Sequence, residues 1–403
     1  MRISRRNFVA GAAAIGLARP SVGAAAHTAV QATIHSDRFD PWIEVDPSAL
    51  RHNVGEIARL GGGRPILAVV KNNAYGLGFD AVGSVLDPME EIAGFAVVKA
   101  SAAITLRQVG VRKPILLMAM FAESDGPDLV THEIQLSLCT DDAADRIRRL
   151  AASVGHPIAA HLYLDTGMSR MGMPYHRALP WMTTLASRDD LRIAGTFMAF
   201  TEETAFDHEQ LDRFTAVTGE ARRAGANLGQ LHAASSNGVF HLPEARLDLV
   251  RPGIAIYGGY PSRPEEERAM ATLRPAFRLR ARVSRVQQLR PGDSVSYGRR
   301  YVADRPTWIA TLPIGHSDGY PGQAVNRGRI LIGDNLYPVI GSVSASHTIV
   351  EVGDERSVQV GDVATLVGPD HPDITPNTFA DAVGVSVYDV MMHMNPGLPR
   401  VLL

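Results

Sequence analysis

A lysine that ends an apolar run is the residue best placed for nucleophilic chemistry. In Pro65-Ile66-Leu67-Ala68-Val69-Val70-Lys71 the amine follows five consecutive aliphatic residues. Burial penalises the charged form of a lysine, and the free amine can then form a Schiff base with a carbonyl cofactor. Position alone favours the blander reading, a lysine that caps a strand and points into solvent. Thiol chemistry has little to draw on. Cys139 is the only cysteine, so neither an intrachain disulfide nor a cysteine zinc cluster can form, and one thiol is compatible with any compartment.

The elements around Lys71 follow from the pattern of apolar runs. A chain of 403 residues exceeds one typical core, so two domains are expected. Between about Pro41 and Leu273, eight short apolar runs alternate with polar, helix-like stretches. They are Ile66–Val70, Gly94–Val98, Pro114–Met118, Gln135–Cys139, Ala159–Asp165, Ala194–Phe200, Gln230–Ser235 and Leu247–Tyr257. Near-continuous apolar strands are those of a parallel sheet buried on both faces. Eight strand–helix units fit a (β/α)8 TIM barrel, with a doubly wound α/β sheet as the rival. In a barrel, the C-terminal ends of the strands face the active-site mouth, which is where Lys71 stands. After about Pro275 the texture changes to valine-rich alternating segments, Leu279–Leu289, Thr307–Leu312, Arg329–Ile332, Tyr337–Val343, Thr348–Val352 and Asp362–Val367, separated by Gly, Pro and Asp turns. They predict a mostly antiparallel β domain. The expected division is a leader over 1–26, a barrel over 41–273 and a β domain over 274–403.

Charge excludes one class of function and the N-terminus points to a compartment. Forty basic residues against 42 acidic ones give a net charge of −2, which argues against a nucleic-acid binder. Arg2, Arg5 and Arg6 precede the apolar stretch Phe8–Ala18 and the small residues Ala24-Ala25-Ala26. That stretch is about 11 residues, short of the roughly 20 a membrane span needs, so it reads as a cleaved signal peptide and the mature chain has no expected span. Ser4-Arg5-Arg6-Asn7-Phe8 resembles the twin-arginine export motif, with an ordinary Sec signal as the alternative. The expected location is the periplasm.

Lys71 gains its meaning from its neighbours. Ala68-Val69-Val70-Lys71-Asn72-Asn73-Ala74-Tyr75-Gly76-Leu77-Gly78 closely resembles the cofactor-lysine signature of alanine racemases, with Asn72 and Leu77 as its two differences. Further matches follow in order over almost the whole mature chain. The resemblance implies a barrel that holds pyridoxal 5′-phosphate, followed by a β domain, in a head-to-tail homodimer that acts on an amino acid. It places the Tyr75 and Ser236 hydroxyls and the backbone N–H groups of Gly253 and Ile254 on the cofactor phosphate. It places Arg251 on the pyridine nitrogen. Arginine does not give up its proton, so the nitrogen stays unprotonated, which disfavours stray transamination. Racemisation needs a proton-handling group on each face of Cα. Lys71 serves one, and Ser294-Val295-Ser296-Tyr297-Gly298 resembles the stretch carrying the second base, a tyrosine that reaches into the partner's site. With an ordinary pKa near ~10, Tyr297 needs positive charge nearby, for which Arg251 is the candidate. Arg170, in Asp165-Thr166-Gly167-Met168-Ser169-Arg170, matches the arginine that binds the substrate carboxylate, and Ala345 can offer its backbone N–H to the same group.

Five departures from the family bear on substrate. Ala199 replaces the histidine that supports the catalytic tyrosine, and Tyr163 the carbamylated lysine that orients the arginine. Ser344-Ala345-Ser346 replaces Cys-Met-Asp, His316 replaces a tyrosine, and Pro396 aligns loosely with the tyrosine that narrows the pocket. Loss of bulky side chains predicts a pocket for amino acids larger than alanine, with broad specificity. Two other activities suit the same barrel. One is a lyase resembling D-threonine aldolase, which would need a metal. No clear ligand set stands near the C-terminus, where His393 is alone, so no metal is expected. The other is a non-catalytic cofactor carrier, although such proteins resemble the barrel alone.

Overall fold

A computed structural model describes residues 39–403. The leader read over residues 1–26 lies outside the described residues. Seven parallel strands follow one another around the first domain: Ile66–Val69, Ile92–Val97, Ile115–Leu117, Ile134–Leu138, Ile158–Asp165, Leu191–Phe197 and Gln230–His232. The eighth stave closes the ring, because Leu249 bridges His232 on one side and Val250 bridges Ile66 on the other, both in parallel. Main-chain bonds extend the closure, from Leu67 N–H to Val250 O (2.9 Å), Val69 N–H to Pro252 O (2.9 Å) and Arg251 N–H to Ala234 O (2.8 Å). The fold is therefore a TIM barrel with a second, mostly antiparallel β domain. Among the described residues no helix is long and apolar enough to cross a membrane.

The expected strand Leu247–Tyr257 is corrected to a much shorter stave. Pro252 has no N–H to continue a ladder, and beyond it Ile254–Tyr257 forms a 3-10 turn. The apolar character of that turn comes from burial rather than pairing. Asn53, on the helix Pro47–Leu60, donates from Nδ2 to the carbonyls of Ile256 (3.0 Å) and Arg274 (2.8 Å) and ties the turn down.

The nine-stranded second sheet contains a strand from the start of the chain. Trp42–Val45 pairs antiparallel with Phe277–Arg282 and parallel with Arg400–Leu402, although the sequence division groups residues 42–45 with the barrel. The expected strand Leu279–Leu289 also divides. Its first part, Phe277–Arg282, pairs with Val363–Val367, and Arg285–Leu289 pairs with Thr307–Leu312. At the junction the Ser284 hydroxyl bonds the Thr311 carbonyl (3.0 Å), and Val283 N–H turns to Asp362 O (2.9 Å). Two short helices, Pro376–Val383 and Val387–Met392, stand between Val363–Val367 and the last strand, Arg400–Leu402, and the second brings Tyr388 to the barrel mouth.

Candidate active site

Lys71 begins a turn of unusual handedness. Asn72, Asn73, Ala74 and Tyr75 all have φ between +53° and +56°, the left-handed region that costs most residues roughly 1–2 kcal/mol each. After glycine, asparagine tolerates it best, so Asn72 suits this backbone. Strain of this kind persists only where the surroundings over-determine it. Here Arg400 supplies a brace, with Nε and Nη2 donating to the Gly76 carbonyl at 3.1 and 2.8 Å. Gly76 itself (φ +86°) lies so close to the Met391 carbonyl that a Cβ there would collide with it. The C-terminal segment thus holds the lysine loop in place.

The turn opens onto a cavity of about 610 Å³ at the C-terminal ends of the barrel strands. Lys71, Tyr75, Arg170, Ser236, Arg251, Gly253 and Ile254 all line it. Burial pushes the Lys71 amine below its ordinary value, and the nearby Arg170 cation pushes the same way, while Glu202 opposes them. Crowding disfavours protonation, and this is the electrostatic state a nucleophilic lysine needs.

An anion cradle faces the lysine. Gly253 N–H and Ala255 N–H donate to the Ser236 hydroxyl oxygen at 2.9 and 3.3 Å. The Ile254 N–H has no protein acceptor among the described residues. A Cβ at Gly253 would run into the Tyr75 hydroxyl, so only glycine lets the two groups converge. Tyr75 is fixed by stacking on Tyr257, with centroids 4.7 Å apart. The Tyr75 and Ser236 hydroxyls and the Ile254 N–H thus gather around Gly253, whose own N–H is taken up by Ser236, and such a cluster of donors suits a phosphate. With an amine 5.8 Å from the Tyr75 ring centre, these residues fit pyridoxal phosphate.

Arg251 is buried without a carboxylate partner. Asp248 pairs with Arg222 and Glu244 with His208 instead. Its guanidinium donates through Nη2 to the carbonyls of Met198 (2.6 Å) and Ala233 (3.1 Å), and through Nη1 to His232 Nδ1 (2.9 Å). Burial lowers it to about 10, so at neutral pH it remains a cation and a donor.

That contact fixes a chain of protons that the sequence did not disclose. Arginine only donates, so His232 Nδ1 must accept and its Nε2–H must face His161 Nδ1, 2.9 Å away. His161 Nε2–H in turn donates to Gln135 Oε1 at 2.8 Å. Both rings are neutral, for burial and the Arg251 charge push His161 down to about 3 and His232 well below its ordinary value. A histidine depressed in the folded state contributes stability that is complete above its unfolded pKa of ~6.5 and is lost as pH falls towards the folded value. Thermal melts from pH 7.5 to 4.5 should therefore show a steep decline, with each such histidine adding up to ~1.4 kcal/mol per pH unit. His161→Gln should melt lower at pH 7.5 but decline less steeply. Equal slopes would contradict the neutral pair.

Arg170 stands at the cavity rim, on a loop shaped by Asp165. The Asp165 carboxylate accepts the N–H groups of Gly167 (2.9 Å) and Ser169 (3.0 Å). Tyr163, at the family's lysine position, stacks on Phe197 at 4.2 Å and lines the wall. The Asp165 turn thus shapes the loop that carries Arg170.

Tyr297 and Ala345 do not join this group. Tyr297 is 76% exposed on the β domain and, like Ala345, lies outside the cavity lining. Its carbonyl accepts from the Ser342 hydroxyl at 3.2 Å, so the Tyr297 turn and the loop of Ala345 share one surface. Arg251, buried in the barrel, cannot charge Tyr297 within one protomer. Pro396 lines a neighbouring cleft with Asn72, Lys99 and His393. Tyr388 and Glu202 are lining residues that sequence reasoning missed.

A barrel with a crowded lysine, a phosphate cradle and a buried arginine at one mouth defines a pyridoxal-phosphate enzyme. Residues 45–261 match the model of the alanine racemase N-terminal domain, and residues 276–402 that of the alanine racemase C-terminal domain. The chain belongs to the alanine racemase family. The alanine racemase of Carboxydothermus hydrogenoformans is 34% identical over 369 residues, 89% of this chain and 98% of that protein. That of Methanococcus maripaludis is 29% identical over 370 residues, 90% and 98% of the two. Among solved structures, the alanine racemase of Clostridium difficile superposes with a TM-score of 0.85 at 27% identity, covering 91% of this chain and 96% of that one. The protein is a pyridoxal-phosphate-dependent amino-acid racemase.

Proposed function

We propose that this racemase is an exported, head-to-tail homodimer whose two bases come from different copies, Lys71 of one and Tyr297 of the other, and that it accepts side chains larger than that of alanine. The observation that carries the dimer is the placing of Tyr297. It is exposed on a surface shared with the Ala345 loop, while every residue assigned to the chemistry other than these two lines the barrel cavity. Racemisation requires proton transfer on both faces of Cα, so a lone protomer is incomplete.

When bound, pyridoxal phosphate supplies the electron sink that weakens the substrate's Cα–H bond. The chain's own residues do the rest. Tyr75, Ser236 and the amides of Gly253 and Ile254 hold the phosphate. Arg251 donates to the ring nitrogen and gives up no proton there. Arg170 offers its planar fork to the substrate carboxylate. Lys71, its affinity for a proton reduced by burial, exchanges a proton with Cα on one face, and the Tyr297 hydroxyl does so on the other. Breadth of substrate is supported by the cavity wall, where Ala199 stands in place of a histidine and Pro396 takes no part. The arginine-bearing leader read over residues 1–26 supports delivery to the periplasm.

The test incubates the purified protein with single L-amino acids in deuterium oxide. D-enantiomer carrying α-deuterium is expected, with rates on serine, methionine, lysine or arginine that match or exceed the rate on alanine. An alanine rate above all four would overturn the broad pocket. Aldehyde and glycine from a D-β-hydroxy amino acid would identify a lyase instead, and silence in both assays with cofactor bound a carrier.

A further inference from the structure

We infer that Glu202 is a specificity determinant that receives the cationic end of a substrate side chain, which makes amino acids of the lysine, ornithine and arginine class the preferred substrates. The inference rests on the racemase reading and adds to it the chemistry of the side chain.

Among the described residues Glu202 is the single acidic residue in the cavity lining, which also holds three cations, Lys71, Arg170 and Arg251. Its only side-chain hydrogen bond is a long one, accepted from Ser235 Oγ at 3.4 Å. No cation pairs with it within 4 Å among the described residues. Each of the three cations has another anion or acceptor to serve once cofactor and substrate are present. Lys71 attaches the cofactor, Arg251 faces its ring and Arg170 takes the carboxylate. Glu202 is then left on the solvent-open side of the cavity as a carboxylate without a counter-charge, placed to meet a cation that arrives with the substrate. Partial desolvation at the barrel mouth and the nearby Asp207 raise its carboxyl above the ordinary range, although the residue keeps contact with solvent, while the Ser235 hydroxyl, Lys71 and Arg170 pull it back. Alanine brings no cation to this position. A side chain of three or four carbons ending in an ammonium or guanidinium does, and the 610 Å³ cavity is of the size that holds such a ligand together with a cofactor.

The backbone presents the carboxylate on purpose-built geometry. Glu202 has φ +67°, and strain of this sort is kept where the surroundings impose it. Its N–H donates to Asp207 Oδ1 at 3.1 Å, and the preceding Thr201 is held by its hydroxyl on Asp207 and its N–H on Gln210 Oε1 (2.9 Å). Gln210 Nε2 also bonds the Ala199 carbonyl at 3.3 Å. The loop that lacks the family histidine is thereby fastened from behind, and Glu202 is turned to the cavity.

The experiment compares lysine with norleucine, which has the same carbon chain without the ammonium. In the cofactor-loaded enzyme, kcat/KM for lysine should exceed that for norleucine at least tenfold. E202Q, of the same size but uncharged, should lower that ratio tenfold or more, and E202D should retain most of it. Because α-methyl-lysine and α-methylnorleucine carry no α-hydrogen, spectral titration of the bound cofactor reads binding alone, and the same ordering of Kd is expected. A wild-type ratio near one, or an E202Q ratio within twofold of wild type in either measurement, would overturn the inference. Failure of the wild type to racemise any amino acid would overturn the racemase reading instead, and the α-methyl titration would still decide the role of Glu202.

Discussion

Lys71→Ala is expected to lose racemisation by on the order of 10⁴-fold or more, because one residue carries both the covalent attachment and a proton-transfer role. The amine is crowded by the barrel mouth and faces the Arg170 cation, so it holds its proton less firmly than a surface lysine. No neighbouring group in the cavity lining replaces it, since the other cations there are the guanidinium groups of Arg170 and Arg251. The cradle of Tyr75, Ser236, Gly253 and Ile254 is untouched by the substitution. The variant should therefore still bind pyridoxal phosphate, but without the visible absorption band of a lysine-linked cofactor. Retention of that band would show that another amine is the site of attachment.

Tyr297→Phe is expected to lose a further base, with a fall of about 10²–10⁴-fold in turnover, while the lysine-linked absorption persists. Exposure makes the folding cost small, since Tyr297 is 76% exposed and loss of its hydroxyl leaves no buried partner unsatisfied. The loss should be one-sided. Exchange of the α-hydrogen with solvent should survive for the enantiomer whose proton faces Lys71 and vanish for the other. A variant that still exchanged both would show that the second base lies elsewhere in the cavity, with Tyr163 the nearest candidate by its place in the wall.

What the sequence disclosed and what it hid divide along physical lines. Lys71 was legible because an apolar strand ending in a charge breaks its own pattern, and the eleven residues around it form one contiguous signature. Arg251, Ser236 and Gly253 were legible for the same reason, as short local motifs. The relay from Arg251 through His232 and His161 to Gln135 was hidden, because its members sit on separate staves and meet only when the barrel closes. Glu202 was hidden because its loop has no periodicity, and its place as the sole carboxylate of the cavity lining among the described residues shows only once the barrel is built. The strand Trp42–Val45 was passed over since four residues are too few to set a pattern, and its partners lie more than 230 residues away. The run Leu247–Tyr257 misled because continuous burial looks alike in a strand and in a packed 3-10 turn.

Mixed dimers of Lys71→Ala and Tyr297→Phe test the two-copy site most directly. Each parent is inactive by itself, and in a mixed dimer one site lacks both bases while the other has both. Random mixing makes about half of the dimers mixed, so recovery of roughly a quarter of the wild-type activity is expected. No recovery on mixing, with subunit exchange verified, would contradict a site assembled from Lys71 of one copy and Tyr297 of the other.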